Sequence, residues 1–239
     1  MKYINQAFIL AAGRGERMKP LTDNIPKPLA KIKGRAMIDY ILDKFDDLPE
    51  VNKIIINSYY LAEVLETHLR LLKNPRIIIS HENEKLETGG GLVNALSLFD
   101  NNKPLLVING DLFWKSDEQS SLLKKVIDNF NEEEMDILLA LKPKDQFFGY
   151  DGNGDFNFNK QNGELSKAEN PSHVYIGAQI IHPRIFKDSP KQKCFSLSYF
   201  FSKFIKEDGI LQRVKGVEVD NQAFHIGTVK TLNEVNSIL

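Results

Sequence analysis

A short loop rich in glycine and arginine, directly after an apolar stretch, contains residue types that bind oxyanions. Following Phe8-Ile9-Leu10, its sequence is Ala11-Ala12-Gly13-Arg14-Gly15-Glu16-Arg17-Met18. Glycine reaches positive φ without a Cβ clash, so backbone N–H groups of such a loop can point the same way. Such a nest binds anions, and Arg14 and Arg17 add full positive charge beside it. We therefore expect the loop to hold a triphosphate.

Spacing excludes several familiar sites. A dinucleotide fingerprint needs a glycine three residues after Gly15, where Met18 stands, and no Gly-Lys-Ser/Thr phosphate loop occurs. The histidines do not form the zinc protease pattern, and no serine lies in a Gly-x-Ser-x-Gly elbow. The chain therefore lacks the sequence signatures of these nucleophile and zinc sites.

Lys27 is the next candidate because Pro26 and Pro28 flank it. Proline fixes its own φ and restricts the residue before it, which predicts that Lys27 is held extended and outside any helix. A stiffly presented ammonium just after a phosphate loop suggests contact with a phosphoryl group. The alternative is a solvated lysine in a turn.

Asp111 follows an apolar strand and Gly110. An exposed carboxylate in a glycine turn is a good ligand for Mg²⁺, since that ion prefers hard oxygen ligands and keeps room for water and substrate oxygens. The alternative is an Asx turn or a helix cap.

Glu82 and the segment Glu87-Thr88-Gly89-Gly90-Gly91 follow another strand. Glu82 can accept a hydrogen bond from a base N–H, or be a solvated loop carboxylate. Three glycines are poor helix formers, so at a helix start they predict close backbone approach to a flat or anionic group.

Composition favours a soluble globular protein. The chain has 239 residues, 42% hydrophobic and 26% charged, and its net charge of −1 argues against a dedicated nucleic-acid binder. No apolar run reaches the roughly 18–20 residues of a membrane span, and the N-terminus does not resemble a signal peptide. The single cysteine, Cys194, fits a reducing cytoplasm.

The first half alternates between strand-like and helix-like segments. Strands are predicted over residues 4–10, 53–57, 76–80, 104–109 and 136–141, with helices over 36–45, 61–72, 88–98 and 116–130. Alternation of this kind predicts βαβ units and a mainly parallel sheet. Ligands of such sheets bind outside the carboxyl ends of the strands, where the loop after Leu10, Glu82 and Asp111 all fall.

The pattern changes after residue 142. Turn signals predict a hairpin around residues 155–159 and a second one joining 211–219 to 223–226. A strand over 174–181 and helices over 196–207 and 229–238 complete the chain. We expect a single domain over 1–239, in which a small α+β lid over 142–239 shares one core with the half over 1–141.

Together these residues resemble the sugar-1-phosphate nucleotidyltransferases. The matching parts are Leu10 to Thr22, Pro26-Lys27-Pro28 and Asn109-Gly110-Asp111. Within the family, Glu82 and the segments 86–91 and 149–156 are most similar to uridylyltransferases acting on N-acetylmuramate 1-phosphate in peptidoglycan recycling. The resemblance implies a Rossmann-like, three-layer α/β/α sandwich with a mainly parallel, mixed sheet and no β-helix extension.

The resemblance also implies that residues 1–141 form a nucleotide-binding half and residues 142–239 a sugar-binding half, and it implies a role for each matching residue. Nucleotide binding falls to Ala11, Ala12, Gly13, Gly15, Glu82 and Gly89. Arg17 neutralises the departing pyrophosphate, Lys27 neutralises the α-phosphate, and Asp111 holds Mg²⁺. The sugar is contacted by Asn109 and, on a looser match, by Gly149 and Asp155.

One segment departs from the family pattern. Relatives commonly show Asp-x-Gly-Thr near the C-terminus, with the Asp as a second metal ligand, whereas this chain has His225-Ile226-Gly227-Thr228. Imidazole suits Mn²⁺ or Zn²⁺ better than Mg²⁺. His225 can therefore bind the metal, act through a water, or donate to phosphate when protonated.

The expected reaction transfers a nucleotidyl group from UTP to a sugar 1-phosphate and releases pyrophosphate. The first alternative is a mannose- or heptose-1-phosphate guanylyltransferase, because a carboxylate at position 82 also accepts from guanine N–H groups. Such enzymes usually show Leu-Gly-Thr-Ala-Gly where this chain has Leu86-Glu87-Thr88-Gly89-Gly90. A third alternative is a sugar-nucleotide-binding protein that has lost catalysis through the change at position 225.

Overall fold

The computed structural model of the protein describes residues 4–115, 121–204 and 209–239. Its strands are β1 (Gln6–Leu10), β2 (Lys31–Ile32), β3 (Arg35–Ala36), β4 (Lys53–Ser58), β5 (Ile77–His81), β6 (Leu105–Asn109), β7 (Leu112–Trp114), β8 (Ile137–Pro143), β9 (Asn157–Phe158), β10 (Glu164–Ser166), β11 (His173–Ile181), β12 (Ile210–Glu218) and β13 (Ala223–His225). Its α-helices are α1 (Met37–Asp43), α2 (Ala62–Leu71), α3 (Glu87–Asn94), α4 (Leu122–Asn129), α5 (Ser198–Lys203) and α6 (Val229–Ile238).

A nine-stranded mixed sheet forms the centre of the described ranges, in the order β5-β4-β1-β6-β11-β8-β12-β10-β9. The first four strands are parallel, and β11 runs antiparallel to both of its neighbours, β6 and β8. Strand β12 is parallel to β8, whereas β10 and β9 are antiparallel additions at the edge. This architecture confirms the predicted α/β class with a mainly parallel, mixed sheet.

Helices cover both faces of this sheet, because side chains of a strand alternate between its faces. Ile9 of β1 packs into the core shared with α1, α2 and α4. Its neighbour Phe8 packs into the core shared with α3 and α5. Both residues are fully buried, and burial of such a side chain contributes about 1.5–3 kcal/mol. The result is a three-layer α/β/α sandwich.

Helix boundaries differ from the predicted ones mainly at their ends. The helix predicted over 88–98 ends at Asn94 and is followed by a 3₁₀ turn over Leu96–Leu98. The helix predicted over 116–130 is described as α4, and residues 116–120 lie outside the described ranges. The helix predicted over 196–207 is described over Ser198–Lys203, and residues 205–208 likewise lie outside those ranges.

The second predicted hairpin is wrong, whereas the first is confirmed. Strands β9 and β10 pair antiparallel as expected. In contrast, β12 pairs with β8 and β10, and β13 pairs instead with β7, which places His225 opposite Leu112. The prediction failed because the alternation of apolar and polar residues in a three-residue strand is too short to specify which strand it pairs with. This pairing brings the C-terminal segment beside Asp111.

The two sequence halves share the central sheet. Strand β11 belongs to the second half, yet it lies between β6 and β8. The assignment of nucleotide binding to residues 1–141 and sugar binding to 142–239 stays a prediction.

Candidate active site

A cleft of about 380 Å³ lies at the carboxyl ends of the parallel strands β1, β4, β5 and β6. We call this side of the sheet, where those strands end, the carboxyl edge. Predicted site residues that line this cleft are Ala11, Ala12, Gly13, Gly15, Arg17, Lys27, Glu82, Asn109 and Asp111. Four separate parts of the sequence therefore meet at one place, as expected for the switch region of an open α/β sheet.

Gly15 shapes the loop at the mouth of this cleft. Its φ of +64° lies in the left-handed region, and a Cβ there would come within 2.9 Å of the Thr22 Cγ2 atom and 3.1 Å of the Lys27 Cβ atom. The Thr22 hydroxyl donates to the Gly15 carbonyl at 2.9 Å. Gly13, in contrast, has open space where a Cβ would stand. Gly15 therefore lets the loop pack against Lys27, and Gly13 leaves the loop open.

Lys27 contacts Asp111 across the floor of the cleft, with 2.6 Å between its Nζ atom and the Asp111 Oδ2 atom. The expectation that Lys27 is extended and outside any helix is wrong, because Lys27–Leu29 forms a 3₁₀ turn. The amide of Ala30 closes that turn on the Lys27 carbonyl, and Pro28 fits because the first helical turn needs no N–H donor there. The turn still points the ammonium at Asp111.

The Asp111 carboxylate is kept ionised although it is largely buried. Its side chain is 25% exposed and that of Lys27 is 13% exposed. Burial by itself would raise the pKa of Asp111, but the Lys27 ammonium holds that pKa below its usual range. The cleft therefore contains a negative charge that is paired with one contacting cation, Lys27.

Arg17 and His225 form the second polar pair beside Asp111. The Arg17 guanidinium donates to the Nε2 atom of His225 at 3.3 Å. Burial lowers the pKa of His225, and the positive charges of Lys27 and Arg17 lower it further against the opposing effect of Asp111. His225 is therefore neutral and accepts at Nε2, which is the form of imidazole that binds metals.

The described side chains beside Asp111 do not make up a metal site by themselves. Among the described residues, no group of three or more His, Cys, Asp and Glu side chains is close enough to hold an ion alone. Mg²⁺ in phosphoryl-transfer sites is typically held by one or two carboxylates together with substrate phosphates. The ionised Asp111 fits that role.

Asn57, which the sequence motifs did not indicate, connects the glycine loop to Glu82. Its Oδ1 atom accepts from the Ala11 N–H at 2.6 Å, and its Nδ2 atom donates to Glu82 Oε1 at 2.7 Å. Burial raises the pKa of Glu82, and the bond from Asn57 partly opposes that rise. Because the Ala11 N–H is already bonded, any nucleotide contact by Ala11 must use other atoms.

The glycine run at the start of α3 packs against the chain itself. A Cβ on Gly89 would come within 2.4 Å of the Phe195 ring, and one on Gly90 within 2.1 Å of the Lys193 carbonyl oxygen. Both glycine N–H groups donate to the Phe195 carbonyl. The flat group approached by the glycines is therefore Phe195, and nucleotide binding by Gly89 stays a prediction.

The three residues predicted to contact the sugar lie at different places in the structure. Asn109 lines the cleft and packs on Gly177, where a Cβ would come within 2.9 Å of its Nδ2 atom. Gly149 packs under the His225 carbonyl, where a Cβ would come within 2.7 Å of the oxygen. Asp155 accepts the Tyr175 backbone N–H at 2.9 Å. The last two do not line the 380 Å³ cleft, and their sugar contacts stay predictions.

A search of the described ranges for a helix both long and apolar enough to cross a membrane finds none.

Family comparison identifies the class of this protein. Residues 6–151 match the nucleotidyl transferase family, so the chain belongs to that family. It is 34% identical to the N-acetylmuramate alpha-1-phosphate uridylyltransferase of Caulobacter vibrioides, over 92% of this chain and 91% of the relative. It is 28% identical to the D-glycero-alpha-D-manno-heptose 1-phosphate guanylyltransferase of Campylobacter jejuni, over 93% of this chain and 94% of that one.

Solved structures agree on the fold. HddC from Yersinia pseudotuberculosis, complexed with GMP-PN, superposes with a TM-score of 0.76 at 23% identity, covering 98% of each chain. The inositol-1-phosphate CTP transferase from T. maritima superposes with a TM-score of 0.75 at 16% identity, covering 98% of this chain and 96% of that one. The protein is thus a nucleotidyltransferase with the Rossmann-like α/β fold of its relatives.

Proposed function

We propose that this nucleotidyltransferase transfers the uridylyl group of UTP to N-acetylmuramate 1-phosphate, giving UDP-N-acetylmuramate and pyrophosphate. The observation that carries the proposal is the meeting of Lys27, Asp111 and Arg17 beneath a glycine loop in one cleft. The uridylyltransferase relative matches over nearly the whole chain and supports this choice of substrates. The activity would serve cytoplasmic recycling of peptidoglycan.

The reaction needs no nucleophilic side chain. An oxygen of the sugar phosphate attacks the α-phosphorus of UTP, the new P–O bond forms, and the bond to the β-phosphate breaks with its electron pair leaving on pyrophosphate. Dense negative charge must converge, so positioning and charge neutralisation supply the catalysis. Lys27 would neutralise the α-phosphate, and Arg17 the departing pyrophosphate.

Asp111 would hold Mg²⁺, together with phosphate oxygens of the substrates. When bound, the ion neutralises phosphate charge and orients the oxygens. His225 is a neutral imidazole beside Asp111, so it can serve as a second ligand, and its softer nitrogen would make Mn²⁺ an effective replacement. Lys27, which contacts Asp111 in this structure, would bind the α-phosphate.

Guanylyl transfer to a heptose or mannose 1-phosphate is the second candidate. Glu82 supports it because a carboxylate accepts from guanine N1–H as well as from uracil N3–H. The heptose 1-phosphate guanylyltransferase relative also matches over nearly the whole chain. The two candidate substrates differ in charge, because N-acetylmuramate carries a lactyl carboxylate and a heptose or mannose does not.

A matrix of four nucleoside triphosphates against several sugar 1-phosphates tests these candidates. We expect pyrophosphate release to be greatest with UTP and N-acetylmuramate 1-phosphate. Preference for GTP and a heptose or mannose 1-phosphate would replace the first candidate by the second. Nucleotide binding without pyrophosphate release, under Mg²⁺ or Mn²⁺, would identify a binding protein that has lost catalysis.

A further inference from the structure

Three buried groups from separate elements form a hydrogen-bonded chain behind the cleft. The Ala11 N–H donates to Asn57, and the Asn57 amide donates to Glu82. Exposed fractions are 2% for Ala11, 2% for Asn57 and 3% for Glu82. A backbone N–H can only donate, so the Oδ1 atom of Asn57 must face Ala11 and its NH₂ group must face Glu82. The direction of every bond in the chain is therefore fixed.

This direction determines what position 82 can offer to a ligand. The NH₂ group of Asn57 requires an acceptor, and Glu82 Oε1 fills that role. The second oxygen of Glu82 remains for the cleft, which Glu82 lines. An ionised carboxylate is an acceptor only, so Glu82 presents an acceptor there.

We propose that Asn57 is a positioning residue that sets the hydrogen-bonding polarity of position 82, so that the cleft selects nucleobases with a donor N–H. The inference rests on the proposed nucleotidyl transfer. Uracil N3–H and guanine N1–H provide such a donor. Cytosine N3 and adenine N1 are acceptors and would meet a second acceptor.

Gly91 supports the same arrangement from α3. A Cβ at this position would come within 2.6 Å of Glu82 Oε1 and 2.9 Å of Asn57 Nδ2. The missing side chain therefore leaves room for this one hydrogen bond. The bond between Asn57 and Glu82 therefore explains why the third residue of the run is glycine. The close approach of Phe195 and Lys193 explains why the first two are glycine.

Exchanging the chemistry of the two side chains makes the inference testable. In Glu82→Gln, the amide oxygen stays on Asn57 and the NH₂ group turns to the cleft, which replaces an acceptor by a donor. In Asn57→Asp, an acceptor faces Glu82 and the bond is lost. Combining the two substitutions reverses the bond, because the new amide donates to the new carboxylate, and an acceptor oxygen faces the cleft again.

The experiment compares kcat/KM for UTP, CTP, GTP and ATP in the wild type, both single variants and the double variant. Asn52→Asp is the matched control, since it makes the same change at an exposed residue just before β4. The UTP-to-CTP ratio is the readout, because a ratio does not depend on the fraction of folded enzyme. For GTP-specific transfer, the GTP-to-ATP ratio replaces it.

We expect Glu82→Gln to lower this ratio ten- to a hundred-fold, as when a buried polar group loses its partner. The double variant should return to within about three-fold of the wild type, a recovery that a merely structural role for Asn57 would not produce. An unchanged ratio in Glu82→Gln, or no recovery in the double variant, would overturn the inference. A wild type that prefers CTP or ATP would overturn it while leaving nucleotidyl transfer intact.

Failure of the proposed function has a different signature. A wild type that releases no pyrophosphate with any triphosphate contradicts catalysis, and equilibrium binding of UTP and CTP then measures the same ratio. Preferential UTP binding that follows the same order across the variants would support the role of Asn57. Absence of binding by all four nucleotides would overturn both.

Discussion

Two largely buried aspartates, at opposite ends of the parallel strands, differ in how many cations contact them. Asp111 lies at the carboxyl edge, is 25% exposed and contacts one cation, Lys27. Asp136 lies just before β8, where its buried carboxylate binds the guanidinium groups of both Arg184 and Arg213. Those guanidiniums also donate to backbone carbonyls of residues 132 and 133. Asp136 is saturated, whereas Asp111 can accept a new partner.

The two carboxylates have the same direction of pKa shift. Burial would raise the pKa of each, and neighbouring cations hold each below its usual range. A shifted pKa therefore does not separate the candidate site aspartate from the structural one. The two differ in that Asp111 lines the cleft and contacts a single cation.

Removing the cation at each site should separate the two roles most strongly. Lys27→Ala should lower kcat about 10²- to 10³-fold, which is the usual loss when a charge-stabilising donor is removed. Its thermal unfolding temperature should also fall, because the largely buried Asp111 loses the cation that keeps it ionised, so kcat is the readout that separates the two sites. The exposed Lys103→Ala, at the amino end of β6, is the matched control in steady-state assays. Full activity in Lys27→Ala would contradict the role of Lys27.

Arg213→Ala should lower stability without lowering kcat. It removes one of two cations from a buried carboxylate and should cost about 1–3 kcal/mol in the free energy of unfolding. This is less than for a fully buried pair, because Arg213 is 38% exposed and Arg184 remains. Urea unfolding measures the loss, and kcat should stay within about two-fold of the wild type. A large fall in kcat without a loss of stability would break the comparison.

Gly15→Ala should combine a small structural cost with a functional one. The left-handed backbone costs an alanine about 1–2 kcal/mol, and the new Cβ would press on Thr22 and Lys27. Gly34→Ala is a matched control, since its φ is +83° but open space surrounds its Cβ position. Thermal unfolding should show a loss for both variants, larger for Gly15→Ala because of these contacts, whereas only Gly15→Ala should lower kcat. Equal activities would show that the loop tolerates displacement.

The pH dependence of stability should have opposite signs at Glu82 and Asp136. Burial raises the pKa of Glu82, so the folded state binds the proton more tightly, and stability falls as pH rises above about 4.3. Glu82→Gln should therefore stabilise the protein at neutral pH, with the gain vanishing in acid. Asp136 has a lowered pKa, so its contribution is present above about 3.9 and is lost as pH falls further.

Unfolding by urea between pH 3 and pH 7 measures both effects. Asp136→Asn should be destabilised at neutral pH, with a difference from the wild type that shrinks in acid. A stabilising effect of Asp136→Asn, or a destabilising effect of Glu82→Gln at neutral pH, would contradict the assigned causes.

The sequence predicts the cleft well because one rule connects its parts. Parallel strands bring their carboxyl ends together, so the loop after Leu10, Glu82 and Asp111 converge whatever the details of packing. Rules of this kind depend only on strand order and direction. The contact between Lys27 and Asp111 does not follow from that rule, because a 3₁₀ turn directs the lysine and the sequence predicted an extended segment.

Other features depended on long-range packing and were missed. His225 was a predicted site residue, but the pairing that brings it there was missed: β13 pairs with β7, whereas the sequence predicted a hairpin with residues 211–219. The glycine run indicated a close approach, but its partner Phe195 is far away along the chain. Asn57 belongs to no motif, although its place at the end of a strand of the carboxyl edge was the available signal.

The most direct test of the central claim is ³¹P NMR of the wild-type protein with UTP, N-acetylmuramate 1-phosphate and Mg²⁺. We predict that pyrophosphate and UDP-N-acetylmuramate appear in equal amounts, because the attacking oxygen belongs to the sugar phosphate. The α-phosphorus of UTP should be found only in the UDP-sugar. Release of inorganic phosphate without a UDP-sugar, or an unchanged UTP spectrum across the substrate matrix, would contradict nucleotidyl transfer at this cleft.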